Sequence, residues 1–109
     1  METSQASIDA MYSKMAQNGW DTFAPLKWGY YFMAGWEEAL KIIYREIADS
    51  KYRLESLHQS EDEDGGWTMF VSKVEILPAD KLFRRCMAFN ELADEYGVLF
   101  DGWDVERVA

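Results

Sequence analysis

What this sequence has little of narrows its chemistry before any motif is read. In 109 residues there is one cysteine, Cys86, one histidine, His58, and only two prolines, Pro25 and Pro78. A single cysteine excludes an internal disulfide, and its place on an apolar helical stripe reads as a small buried hydrophobe. A lone histidine beside a lone cysteine provides neither a tetrahedral zinc set nor a histidine-centred triad, so His58 reads as a surface-strand residue. No G-x-G-x-x-G or G-x-x-x-x-G-K-[ST] string is present to cradle a phosphate. No run reaches about 18 apolar residues, and no basic start leads into an apolar stretch, which points to a cytoplasmic protein with neither span nor signal.

Positive charge is also scarce. Eleven basic residues face twenty acidic ones, a net charge of −9. Such a field repels phosphate backbones and draws in basic partners, so direct nucleic-acid binding is not expected and a basic protein segment is. Plain solubility is the competing explanation of the same charge. The aromatics of the segment 26–33 invite an RNA-recognition reading, but that would need a basic surface and a K/R-G-F/Y-G/A-F-V-x-F/Y string, and the chain has neither.

What the chain does have is apolar and aromatic mass: 49% hydrophobic residues, 16% aromatic, five of them tryptophans. That is well above a disordered composition and enough for one core. The helix at the C-terminal end has the clearest period, with Leu82, Cys86, Phe89, Ala93 and Tyr96 three or four residues apart. Pro78 suits its first turn, Asp80 complements its positive end, and Gly97 suits its close. Val98-Leu99-Phe100 then forms a β-prone run expected to end at Asp101-Gly102-Trp103, a turn or bulge followed by a large aromatic.

Upstream, Thr3 or Ser4 can cap a helix carrying Ile8, Met11, Tyr12 and Met15 on one side and closed by Asn18-Gly19. Leu26 to Met33 reads as a central strand, its Trp28, Tyr30 and Phe32 packed under helices. Trp36, Leu40, Ile43 and Ile47 mark a second core-facing helix. Lys51 to His58 alternates, with Tyr52, Leu54, Ser56 and His58 on one side and Arg53, Glu55 and Leu57 on the other, as an edge strand would. A glycine-rich acidic loop follows, and Trp67 to Leu77 completes a hairpin.

After the first helix the order is strand, helix, strand, strand, helix, strand. It predicts an α+β fold, a ferredoxin-like split βαβ sandwich (βαββαβ) with an extra N-terminal helix, or another two-layer α+β order. The helix occupies residues 1–19 and the ferredoxin-like domain residues 20–109.

Two places are candidates for recognition. The loop acids Glu61, Asp62, Glu63 and Asp64 bring calcium to mind, but setting Gly65 at the invariant glycine of an EF-hand puts Ser60 first and Val71 last, and no helix precedes the loop. No metal and no cofactor are therefore expected. Asp101, Gly102 and Trp103 fit either a core plug or a recognition patch.

At these residues the chain resembles the RraB family, the regulators of ribonuclease E activity B, small bacterial proteins. The resemblance rests on Met87, Leu92-Ala93, Tyr96 in place of another aromatic, Val98 and Phe100-Asp101-Gly102-Trp103. Asn18-Gly19 with Asp21, the aromatic strand and the acidic loop before Trp67 follow in compatible order, so that the likeness spans about Asn18 to Val105. The sequence departs at its end, stopping at Ala109 where members continue into an acidic tail. The resemblance implies a ferredoxin-like domain without catalytic activity that binds ribonuclease E, inhibits it through its non-catalytic scaffold half and alters the composition of the RNA degradosome. Two other readings stand beside it: a small-molecule-binding domain with a Trp- and Tyr-lined pocket, and a sheet that self-associates.

Overall fold

Period-two burial along the aromatic strand organises the architecture. A computed structural model of the chain describes residues 4–48, 51–61 and 65–108. Along them run α1 (Gln5–Gln17), β1 (Leu26–Ala34), α2 (Glu37–Ile47), β2 (Arg53–Gln59), β3 (Trp67–Glu75), α3 (Ala79–Glu95) and β4 (Leu99–Arg107). The strands form one antiparallel sheet in the order β2-β3-β1-β4, with β1 and β3 central. Among the described residues no helix is long and apolar enough to cross a membrane.

On β1, Trp28, Tyr30 and Phe32 point to one face and are fully buried. Their register partners Val71 and Met69 on β3 and Phe100 on β4 extend that covered face. Leu40 and Ile43 of α2 and Leu82, Cys86 and Phe89 of α3 close over it. Phe89 meets Tyr30 and Phe32 edge-on, with centroids 5.0 and 5.4 Å away. Such pairs add about 0.5–1.5 kcal/mol each beyond the burial of area. The N-terminal helix belongs to the same core: Ile8 and Met15 are buried, Tyr12 stacks on Trp28 at 5.7 Å, and its hydroxyl donates to the Leu77 carbonyl at 2.6 Å.

Helix ends follow the sequence signals closely. Ser4 caps α1 by accepting from Ser7 N at 3.1 Å, while Thr3 lies outside the described residues. Gly19 and Gly97 both take positive φ, 84° and 67°. Trp20 N then reaches back to Met15 O, and Val98 N to Ala93 O, the six-to-one bonds that satisfy the last orphan carbonyls.

Three expectations are corrected. Trp36 is not on the core face of α2: it is the extended residue before the first turn (φ −146°) and 73% exposed, because the helical period begins only at Glu37. The alternation of β2 breaks at Glu55, where the register with β3 shifts. The extra residue puts Leu54 opposite Val71 and Leu57 opposite Met69, so both fall on the covered face instead of on opposite sides. Finally, β4 does not end at Asp101-Gly102-Trp103. It absorbs Asp101 as a bulge, with Gly102 at φ 124°, and continues to Arg107.

Burial of titratable groups under the helices fixes the alkaline limb of stability. Desolvation pushes Tyr52 up to about 12 and Tyr30 further, and pushes the Cys86 thiol up to about 11. Above the ordinary values of these groups, the unfolded chain sheds protons that the folded chain keeps. Stability is therefore expected to fall as pH rises from about 9, each buried tyrosine contributing about 1.4 kcal/mol per pH unit between about pH 10 and 12. Urea denaturation from about pH 8 to 11.5 reads this slope, and Tyr52→Phe should make it shallower above about pH 10. An unchanged slope in that variant would contradict the burial argument.

Candidate protein-interaction surface

The side chains of β1 that alternate with the core residues are Lys27, Gly29, Tyr31 and Met33. They lie on the opposite face of the sheet, over which no helix packs among the described residues. Register adds Thr68, Phe70, Ser72 and Val74 from β3, and Leu99, Gly102, Asp104 and Glu106 from β4.

An aromatic pair lies at the centre of this open face. Tyr31 stacks on Phe70 with centroids 4.5 Å apart and planes 26° apart. The Phe70 ring rests on the backbone of Gly29, where a β-carbon would overlap two ring carbons and stand 2.6 Å from Asp104 Oδ1. Glycine at this position is thus required by close approach rather than by backbone angle. Tyr31 Oη donates to Asp104 Oδ2 at 2.8 Å. Burial, that hydrogen bond and the nearby carboxylates of Asp104 and Glu106 push the Tyr31 phenol up to about 12.

Beside the pair, the carboxylate in the β2 bulge gathers a polar network. Glu55 accepts from the buried Ser72 hydroxyl at 2.7 Å and pairs with Lys27 at 3.1 Å. The Ser72 hydrogen bond first, and Lys27 next, hold its carboxyl below the usual range. Lys27 is consequently neutralised within the face. At the β4 edge the charge is one-signed: Asp101 and Glu106 are exposed and Asp104 half-buried. The nearest cation in β4, Arg107, is on the other face, its guanidinium 4.7 Å from the Trp20 ring centroid.

The recognition candidates read from sequence do not form one patch. Glu61 is exposed at the β2–β3 hairpin, and Asp62, Glu63 and Asp64 lie outside the described residues. That hairpin joins the strands on one side of the sheet, while Asp101, Gly102 and Trp103 belong to β4 at the opposite edge. Within the second group the bulge separates the side chains. Asp101 is exposed and Gly102 buried. Trp103 pairs with Tyr30 in register, so it turns to the covered face and tilts against Trp28 at 5.8 Å. Tyr31, Phe70 and Asp104 are not among the site candidates read from sequence, though Gly29 inside an aromatic strand is the signal of a close approach that points to them.

Gly29→Ala is expected to cost about 1–3 kcal/mol through overpacking. Because the overlap is with one ring, Phe70→Ala in the same chain should recover part of that loss, a coupling readable in a double-mutant cycle by urea denaturation. Strict additivity of the two changes would show that the ring is not what excludes a side chain at this position.

The chain matches the model of the family described as RraB, regulator of ribonuclease activity B, over residues 5–105. No curated protein shows significant similarity to it. The matched stretch begins in α1 and runs into β4, taking in α1, α2, α3 and the sheet except the last two residues of β4. It starts earlier than the likeness from Asn18 seen in the sequence, in keeping with the burial of Ile8 and Met15 in the common core. The protein belongs to the RraB family of regulators of ribonuclease activity.

Proposed function

We propose that this protein is a non-enzymatic cytoplasmic regulator that binds ribonuclease E through a basic segment of its scaffold region and lowers its activity. The single observation that carries the reading is the open sheet face, an aromatic pair bordered by a one-signed acidic edge. Aromatic side chains provide rigid contact area, and complementary charge accelerates encounter and fixes orientation. Arginines of a basic segment would stack on Tyr31 and Phe70 and pair with Asp101, Asp104 and Glu106. Membership of a family of ribonuclease regulators supports the class of function. The loop acids Glu61, Asp62, Glu63 and Asp64 would add to the steering field, Gly102 would shape the bulge at the β4 edge, and Trp103 would support that edge from the covered face.

The same proposal includes the ferredoxin-like character of the domain. The order β2-β3-β1-β4, with α2 and α3 as the two crossovers on one face, supports the split βαβ reading, to which α1 is an addition.

Calorimetric titration with the scaffold half of ribonuclease E, at low and moderate salt, tests the surface. Saturable binding that weakens with salt is expected. Asp101→Asn, Asp104→Asn and Glu106→Gln together should weaken it by about tenfold at low salt and flatten the salt dependence. Neutralising Glu61 to Asp64 should lower the association rate more than it raises the dissociation rate. Unchanged low-salt affinity in the β4 triple variant would remove the open face from the mechanism.

A further inference from the structure

Four of the eleven basic residues of this acidic chain converge on one cavity: Lys73 from β3, and Lys81, Arg84 and Arg85 from α3. The cavity measures about 500 Å³ and lies on the helical side of the sheet, between the C-terminal end of α2 and the middle of α3. Ile47, Tyr52 and Phe89 form its apolar wall. The volume falls in the range of small-molecule sites, which pair an apolar lining with a few convergent polar groups.

The cavity exists because the covered face of β3 changes character along its length. Trp67, Met69 and Val71 are followed on the same side by Lys73 and Glu75. Helix α2 ends at Ile47, which lines the cavity. Glu75 grips Arg85 with both carboxylate oxygens, and Arg85 also donates to Tyr30 Oη at 3.2 Å, so this guanidinium is fixed in the wall. Arg84 pairs with Asp80 at 2.9 Å at the exposed rim. Lys73 and Lys81 have no ion-pair partner among the described residues. The Lys73 ammonium stands 5.4 Å from the centre of the Tyr52 ring, which holds it over the apolar wall.

Among the described residues three carboxylates border these four cations: Glu75, Asp80 and Glu46, the last accepting from Tyr96 Oη at 3.1 Å. Among the described residues the locality is thus cationic by one charge, in a chain of net charge −9. That contrast selects the kind of anion. A polyanion would meet the repulsive field of the rest of the surface, whereas a compact anion feels chiefly the local cations within a Debye length of about 8 Å. Ammonium groups and a planar guanidinium together suit a phosphate, and the apolar wall, where Tyr52 and Phe89 meet edge-on at 63°, suits an attached organic body.

We propose that this cavity binds a small organic phosphate, with Lys73, Lys81 and Arg84 on the phosphate and Ile47, Tyr52 and Phe89 against its organic body. The site stands apart from the open sheet face, on the other side of the sheet, and does not depend on the partner proposed for that face.

Adenosine monophosphate, adenosine and inorganic phosphate are the probes, titrated into the full chain at low salt by calorimetry. Saturable binding of adenosine monophosphate is expected, at least tenfold tighter than either fragment, and weakening with salt. Lys73→Gln with Lys81→Gln should weaken it at least tenfold while lowering the unliganded melting temperature by no more than about 5 °C, the share of the lost Lys73–Tyr52 contact. The remote pair Lys14→Gln and Lys41→Gln should leave affinity within about twofold of the parent. A titration of the unmodified chain followed by NMR should shift the ring signals of Tyr52 and Phe89, independently of any substitution. Absence of saturation by adenosine monophosphate at millimolar concentration would overturn the proposal, as would equal binding of inorganic phosphate or unaltered affinity in the double-lysine variant.

Discussion

The two-residue alternation of β1 is the constraint on which the rest of this structure depends. Three large aromatics, Trp28, Tyr30 and Phe32, must leave water together, and the pleat sends them all to one face. That face then has to be covered along its whole length, and α1, α2 and α3 each supply apolar side chains to it. The opposite face inherits whatever lies between the aromatics. There the short side chain is Gly29, and the gap it leaves is filled by the Phe70 ring. One strand thus determines both the core and the character of the exposed sheet.

Local irregularities decide where each functional group ends up. A bulge at Glu55 brings Leu57 to the core and delivers a carboxylate to Lys27 and Ser72. A bulge at Asp101, made easy by Gly102, separates an exposed acid from a tryptophan that packs inward. Without these extra residues the alternation would carry charged groups into the core and apolar ones out of it. Charge is partitioned by the same means. The β4 edge of the open face is acidic, while four cations collect at a cavity lined by β3, α3 and the end of α2.

Much of this was legible along the chain. The stripe Leu82, Cys86, Phe89 and Ala93 is buried as its spacing predicts, and the glycines after α1 and α3 close their helices. Those signals act over a single turn, within reach of a local reading. The place of Trp36 was misjudged because a helix excludes its capping residue from the period it starts. The expected grouping of Asp101 with Trp103 assumed neighbours in sequence would share a face, which a bulge does not respect. The family resemblance, carried by a short terminal motif, is borne out by a match over residues 5–105.

By itself the sequence determined the elements, the apolar stripes, the acidic balance and the family, because each of these is written in periods of two to four residues or in composition. Tertiary structure alone decided which polar groups meet. Tyr31 reaches Asp104 across 73 positions of sequence and Arg85 reaches Tyr30 across 55. The cationic cavity joins Lys73 of a strand to Lys81 and Arg84 of a helix above it. No periodicity encodes such pairs, since strand order and register, set by the burial of the whole core, bring them within hydrogen-bonding distance.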